Sequence, residues 1–278
     1  MDVKTAVEHA SLAEQLPALR ANYERDGYVI ARNVIEPELV EEGRRHIEWL
    51  LDQNPGTRPE QLHNWLMTDD PFWVRLVSDD RLLDIAQQFV GPDIALFASH
   101  YIAKRPYDGQ AVLWHQDGSY WPLEPMEVVT LWLALDDSTP ENGCLRVLPG
   151  TQHTALQQMK ERRDVDNVLN SAIDDQFVDE SRAVDVILKA GDVSIHHPNV
   201  IHGSNANTSA MWRRGLTIRY IPTSTRILSD RQWPSAFLLR GRAAPGVNDY
   251  LPWPKYKAGK HMPFRGAETY HQREPARA

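Results

Sequence analysis

The sequence is poor in cysteine and has no long apolar run. Cys144 is its only cysteine, so no disulfide can form within the chain, which is typical of a reducing compartment. No stretch approaches the roughly 18 apolar residues that a transmembrane helix needs, and the first residues lack the apolar segment of a signal peptide. These absences predict a soluble cytoplasmic protein that does not act at a membrane.

Basic residues are fewer than acidic residues in this chain. The chain carries 30 lysines and arginines against 38 aspartates and glutamates, a formal net charge of −8. Outside Arg162-Arg163 and its surroundings no basic cluster is longer than a pair, whereas a nucleic-acid-binding protein needs a basic face. The composition argues against a nucleic-acid partner. It leaves a small-molecule substrate open, because a pocket can differ in charge from the surface around it.

The first third of the chain is predicted to be mainly helical. Since 42% of the 278 residues are hydrophobic, one domain with a substantial core is expected. Apolar side chains follow a helical spacing in 1–25, and Pro37 suits the first turn of a second helix. A further helix should follow Asp79 and end near Gly91, and a short strand is expected at 27–31.

From residue 94 onwards the pattern changes to short β-rich segments separated by turn signals such as Asn142-Gly143. The segments are 94–98, 99–104, 128–135, 144–148, 193–197 and 216–221. They predict a fold that is mainly β with flanking α-helices, a double-stranded β-helix (jelly roll, cupin-like). We expect a single domain over 1–278, with a mainly helical part at 1–95, a jelly-roll core at 96–222 and a C-terminal wrapping segment at 223–278. The polar stretch 156–182 is predicted to be a helix or a mobile insertion.

The most informative motif is His115-Gln116-Asp117. In an extended segment, residues two positions apart point the same way, so an imidazole and a carboxylate here can share one cavity. Two histidines and one carboxylate on one face of a metal are the ligand set of non-heme Fe(II) oxygenases. A second histidine is needed, and the fold must bring it from elsewhere in the chain.

That second histidine is expected in the segment 191–204, where His196, His197 and His202 compete. In an unbroken strand, 196 and 202 would share a face and 197 would not. Pro198 makes such a strand doubtful, so parity alone leaves His196 and His202 both open.

An arginine-rich segment, 213–219, is the third element. Positions 213, 215, 217 and 219 should share one strand face, while Arg214 points away. An arginine that faces into a barrel needs a carboxylate partner, and the two groups favour a bidentate geometry. A dicarboxylate co-substrate would supply it; a salt bridge to one of the chain's own acidic side chains is the alternative.

Together these elements resemble the phytanoyl-CoA dioxygenase family of Fe(II)/2-oxoglutarate oxygenases. The resemblance spans roughly 20–222 and rests on ordered motifs: Gly27-Tyr28-Val29, His115-Gln116-Asp117, the stretch 141–151, His202-Gly203-Ser204 and Arg213. It implies that His115, Asp117 and His202 hold Fe(II), which selects His202 over His196.

The same resemblance implies the co-substrate site. Arg213 and Ser204 would bind the far carboxylate of 2-oxoglutarate, and Gln116 and Trp132 would line its pocket. Tyr101, Lys104, Arg105, Tyr120 and Trp121 are further candidates near the pocket mouth.

The implied activity is that of an iron enzyme that uses O2 and 2-oxoglutarate. It would hydroxylate an unactivated C–H of a small metabolite and release succinate and CO2. Related halogenases lack the carboxylate ligand, so Asp117 favours hydroxylation or another oxidation over halogenation. The alternative is a cupin-type protein that uses the same metal site to bind or sense a small molecule without turnover.

Overall fold

The structure is a computed structural model and describes residues 10–276. Its four α-helices in this range are α1 (Leu12–Asp26), α2 (Pro37–Gln53), α3 (Pro71–Val77) and α4 (Asp80–Val90). The helices expected near the N-terminus, after Pro37 and before Gly91 are confirmed, although residues 1–9 of the first lie outside the described residues. The short helix α3 was not predicted. None of the described helices is long and apolar enough to cross a membrane.

The described residues also contain fourteen strands, which lie between or after these helices. They are β1 (Tyr28–Ala31), β2 (Ile94–Tyr101), β3 (Val112–His115), β4 (Leu123–Glu124), β5 (Val129–Ala134), β6 (Leu145–Val147), β7 (Lys160–Glu161), β8 (Ser171–Ala172), β9 (Val184–Val186), β10 (Val193–His196), β11 (His202–Ser204), β12 (Gly215–Pro222), β13 (Arg226–Ile227) and β14 (Phe237–Arg240).

Two antiparallel sheets form the body of the jelly roll. The major sheet has the strand order β1-β10-β5-β12-β2-β14, and the minor sheet has the order β3-β11-β6-β9. Every residue of β12 is buried, as expected for a central strand that is covered on both faces. The helices pack on one face of the major sheet and form the main core with it, so its other face is left to the site between the sheets.

The insertion at 156–182 contains no α-helix, so the helical alternative of that expectation is wrong. It contains the short hairpin β7–β8, and its backbone then runs along the edge of β3. The amide of Val168 donates to the carbonyl of Ala111 at 3.0 Å, and that of Ile173 donates to the carbonyl of Trp114 at 2.9 Å. The segment therefore pairs with backbone groups at a sheet edge that would otherwise be left unpaired. Its polar sequence does not predict this long-range contact.

The C-terminal part uses its aromatic residues mainly as anchors. β14 adds to the edge of the major sheet beside β2. Trp253 is buried, and its indole donates to the carbonyl of Leu238 at 3.0 Å, while Phe264 and Tyr270 join the main core. Trp233 instead lies towards the space between the sheets, where it stacks on Phe97.

Gly215, the first residue of β12, packs directly against a buried aromatic ring, so a substitution there tests the packing of the major sheet. A Cβ atom there would lie 2.1 Å from the ring of Trp132, which is buried and lies 5.0 Å from the guanidinium of Arg213. We expect Gly215→Ala to lower the free energy of unfolding by about 1–3 kcal/mol, measured by urea denaturation, because the new methyl group would force the ring of Trp132 to move from its place beside Arg213.

Gly43→Ala is the matched control. The atoms nearest to its Cβ would be the methyl carbons of Leu135, at 2.9 and 3.1 Å, which lie at the end of a flexible side chain, and alanine favours the surrounding helix α2. An equal or larger loss of stability in Gly43→Ala than in Gly215→Ala would contradict the packing described here.

Candidate metal centre and co-substrate pocket

The two central histidines come from neighbouring strands of the minor sheet. His115 ends β3, His202 begins β11, and the two are direct partners in the antiparallel register. Their ring centroids are 4.1 Å apart, and both side chains are buried. Gly203 allows this approach, because a Cβ there would lie 2.9 Å from the carbonyl oxygen of Val112.

Asp117 reaches the same point because the chain stays extended through Gln116 and then turns. Gln116 has φ −118° and ψ 121°, and Asp117 opens a short 3-10 turn. The carboxylate therefore points to the side of His115, with Oδ1 at 3.6 Å from Nε2 of that histidine. One ligand atom from each of His115, Asp117 and His202 lies within 4.8 Å of the other two. The predicted triad is thus brought together.

Both histidines present a free lone pair to this point. Nδ1 of His115 is 2.8 Å from the carbonyl of Leu113, and Nδ1 of His202 is 2.9 Å from that of Val200. Since a carbonyl only accepts, each Nδ1 must carry the proton, which leaves each Nε2 unprotonated in the neutral ring. Burial, followed by the neighbouring His115 and His196, holds the pKa of His202 well below its usual range. The backbone contacts of Nδ1 thus turn Nε2 of each ring towards the cluster, where it can bind a metal.

The carboxylate is held ionised by its surroundings. Burial acts to raise the pKa of Asp117, but the positive charge of Arg219, followed by the close approach of His115 and His196, outweighs it and holds this pKa well below its usual range. Its Oδ2 atom is buried and has no hydrogen-bond partner among residues 10–276. A buried carboxylate is costly unless it is paired or binds a metal. An orphaned carboxylate oxygen beside two free imidazole nitrogens fits a divalent cation such as Fe(II).

His196 lies close to the triad but comes from the other sheet. Its strand, β10, belongs to the major sheet, and the chain crosses to the minor sheet through a turn before His202. Its Nε2 atom is 3.7 Å from Oδ2 of Asp117, and its ring centroid is 4.7 Å from that of His202. Among the residues that the structure describes, it is not part of the group whose ligand atoms converge. We therefore assign it to the surroundings of Asp117.

A second polar region of the same pocket is built around Arg213. This side chain is 2% exposed, and its Nε and Nη2 atoms have no hydrogen-bond partner. Burial lowers its pKa to about 10, and the ring of Trp132 lies 5.0 Å from its guanidinium carbon. Trp132, Ser204 and the three triad residues line the pocket with it. A buried guanidinium with free donors fits a carboxylate ligand.

Lys104 joins this basic region, although the sequence suggested only a place near the pocket mouth. It pairs with Arg213 through the backbone and is fully buried. Its ammonium group donates to Oγ of Ser204 at 2.7 Å and to the carbonyl of Asn205. Burial and the positive charge of Arg213 hold its pKa well below its usual range. Two basic side chains thus meet Ser204 at one end of the pocket.

Other predicted residues lie elsewhere. The side-chain NH2 of Gln116 donates to the backbone carbonyl of Asn199, and its side-chain oxygen accepts from the backbone N–H of Gln157, both at 2.8 Å. Gln116 therefore joins two loops and does not line the pocket. The hydroxyl of Tyr101 bonds to His46 within the main core, which contradicts its expected place at the mouth.

Arg214 points outwards, as predicted, and forms ion pairs with Asp136 and Glu48. Tyr120 is partly exposed and bonds to Ser171 of the insertion. Trp121 lies 5.3 Å from the guanidinium of Arg219, a buried side chain that also lines the pocket.

Comparison with known proteins decides the family. The family model for phytanoyl-CoA dioxygenase matches residues 23–215, more than half of the chain. The chain belongs to the phytanoyl-CoA dioxygenase family. The predicted family is therefore confirmed, and so is the enzyme class, that of the Fe(II)- and 2-oxoglutarate-dependent non-heme dioxygenases. Membership favours the enzyme over a binding or sensing protein without turnover.

Relatives within this family differ in what their names say they act on. The chain is 32% identical to phytanoyl-CoA dioxygenase 1 of Oryza sativa subsp. japonica over 50% of its own length, and this match spans about half (49%) of the rice protein. It is 27% identical to L-proline trans-4-hydroxylase of Streptomyces griseoviridis, with 76% of this chain and 88% of that protein covered.

Solved structures confirm the jelly-roll fold. EctD from S. alaskensis with bound Fe superposes with a TM-score of 0.66 at 22% identity, over 86% of this chain and 92% of that one. The prediction of a mainly β, cupin-like fold with flanking helices is therefore confirmed.

The roles of His202 and His196 in this family member can be separated by metal binding. We expect His202→Gln to abolish tight Fe(II) binding, because it removes one of three ligands. His196→Gln is its matched control and should weaken binding by no more than about 10–100-fold, as is typical for residues that only support a ligand. Anaerobic isothermal titration with Fe(II) measures both, and an equal loss in the two variants would contradict the assignment.

Proposed function

We propose that this protein hydroxylates a small metabolite in a reaction that depends on Fe(II) and 2-oxoglutarate. Bound Fe(II) would supply the oxidising chemistry: O2 and 2-oxoglutarate are consumed, succinate and CO2 are released, and one oxygen atom enters a C–H bond of the substrate. The observation that carries this proposal is the buried pair of sites in one pocket, a His-Asp-His cluster and a basic region whose Arg213 has unpartnered donors and forms no ion pair with a carboxylate of the described residues.

We propose His115, Asp117 and His202 as the iron ligands. Their donors are a neutral nitrogen from each histidine and one carboxylate oxygen, which leaves the remaining positions of an octahedral metal for the co-substrate and O2. The carbonyls of Leu113 and Val200 hold the two rings in the ligating tautomer. This protein's contribution is to fix these donors before any substrate arrives.

Arg213, Lys104 and Ser204 are proposed to bind the far carboxylate of 2-oxoglutarate. Arg213 offers two unpaired donors, and Lys104 bonds to the hydroxyl of Ser204. Trp132 lies against the guanidinium and excludes water from it. A dicarboxylate that spans from this region to the metal would neutralise cations that are otherwise costly to bury.

The substrate class is proposed to be a small molecule. The relatives named for L-proline and ectoine support this, since both are compact metabolites. The site is enclosed on one side by the insertion, because Leu169 lines the pocket that holds the triad. An enclosed pocket of this kind suits a compact substrate that is shielded from water during reaction.

An anaerobic titration of the Fe(II)-loaded protein with 2-oxoglutarate tests this proposal. Chelation of iron by the 2-oxo acid should produce a saturable visible charge-transfer band. We expect Arg213→Met to raise the Kd of 2-oxoglutarate by about 10–100-fold, because a charged hydrogen bond contributes about 1.5–3 kcal/mol.

Arg214→Met is the matched control. It changes the next residue of the chain, whose side chain forms ion pairs on the outer face, so the affinity for 2-oxoglutarate should stay close to that of the wild type. The proposal fails if iron-loaded wild-type protein gives no band, or if the two variants weaken 2-oxoglutarate binding equally.

A further inference from the structure

Arg219 is a second buried arginine in the metal pocket, and the proposed reaction does not use it. It lies on β12, six residues beyond Arg213, and its side chain is 8% exposed. Both arginines line the pocket that holds the triad. Arg219 lies on the Asp117 side of the cluster, with Nη2 at 3.6 Å from Oδ2 of that residue.

The guanidinium of Arg219 has donors left over. Nη1 donates to Nδ1 of His100 and to the hydroxyl of Thr217, both at 2.9 Å and both neutral acceptors. Burial, followed by Arg219 itself, holds the pKa of His100 well below its usual range, so this ring carries no charge of its own. Nε is buried without a hydrogen-bond partner. Within the described part of the chain, Asp117 is the only carboxylate within 4.0 Å of Arg219, at a distance too long for a hydrogen bond.

The charges of the assembled site leave this arginine unmatched. Asp117 contributes one negative charge and 2-oxoglutarate contributes two, while Fe(II) alone contributes two positive charges. The remaining negative charge is already matched by Arg213, and Lys104 lies beside it at the end that would receive the far carboxylate. Within the described residues, the only anionic neighbour of Arg219 within 4.0 Å is then Asp117, which the metal would share, and a further anionic group would stabilise this buried cation.

The walls around Arg219 are aromatic. Trp121 lies 5.3 Å from its guanidinium carbon, Phe97 contacts Trp121, and Trp233 stacks on Phe97 with 5.2 Å between ring centroids. On the other side, the ring of His63 lies 5.3 Å from that of His100. These rings pack behind Arg219, and the pocket itself is lined by apolar side chains that would contact the apolar body of a ligand whose anionic group lies on Arg219: Ile102, Leu145 and Leu169.

We propose that Arg219 binds an oxyanion of the primary substrate, a carboxylate or a phosphonate, and so sets the distance from that group to the carbon that reacts. This inference rests on the proposed function and narrows its substrate class to small anionic molecules with an apolar body. A guanidinium that binds two oxygens of a carboxylate or phosphonate fixes both the position and the orientation of the ligand, which is the requirement for attack at one chosen C–H bond.

The test starts from wild-type protein that is loaded with Fe(II) and 2-oxoglutarate without O2. Benzoate, L-proline and phenylphosphonate are added as oxyanion probes up to about 10 mM, a range that detects weak site binding. The neutral amides benzamide and L-prolinamide serve as matched probes. We expect at least one oxyanion to shift the charge-transfer band in a saturable way, while its amide does not. Whether carboxylates or phosphonate bind best identifies the oxyanion.

Arg219→Gln should weaken this probe binding by at least about tenfold, because it removes the charge of the proposed contact. The affinity for 2-oxoglutarate should remain close to that of the wild type, and Fe(II) is added to saturation in each variant, because Arg219 also lies 3.6 Å from Oδ2 of Asp117. Arg226→Gln is the control, since Arg226 is exposed and donates only to the backbone carbonyls of 246 and 247. It should leave probe binding unchanged.

The outcomes that overturn the inference differ from those that overturn the proposed function. If the Fe(II)-loaded protein gives no charge-transfer band with 2-oxoglutarate alone, the proposed function itself is wrong. With the band present, the inference fails if no oxyanion shifts it, if the amides bind equally well, or if the oxyanions abolish it by displacing 2-oxoglutarate. A loss of Fe(II) affinity in Arg219→Gln without a change in probe binding would make Arg219 a positioning residue for Asp117 instead.

Discussion

The cross-strand pairing of β3 with β11 is the constraint on which the site depends. It sets His115 beside His202 across one antiparallel register position, between the edge strand β3 and its neighbour β11 in the minor sheet. Asp117 follows because one extended residue separates it from His115. The major sheet then supplies the other wall of the pocket, with Arg213 and Arg219 from the segment that forms β12. One sheet thus carries the proposed ligands, and the other carries the cations.

The local part of the site could be predicted because it depends on the nearest neighbours in sequence. A His-x-Asp motif in an extended segment places both side chains on one side whatever the rest of the fold does. The two-residue period of a strand likewise predicts that Arg213, Thr217 and Arg219 face the pocket while Arg214 points outwards. His202 could not be separated from His196 by parity, because the two lie in different sheets joined by a turn. Only the family resemblance made that choice.

Long-range burial could not be predicted. Lys104 looks like a surface residue in the sequence, yet its pairing with Arg213 carries it into the basic end of the pocket. Gln116 looks like a pocket residue, yet its amide joins two loops that only the fold brings near. The insertion at 156–182 has no strong period of its own, and its structure comes from the edge of β3. In each case the decisive partner is far away along the chain.

A crystal structure of the protein with Mn(II) and 2-oxoglutarate tests the central claim most directly, because the anomalous signal of the metal locates it independently of the protein density. We predict a metal bound by His115, Asp117 and His202, with the far carboxylate of 2-oxoglutarate on Arg213 and Lys104. A metal bound by His196 in place of His202, or a far carboxylate on Arg219, would contradict the account.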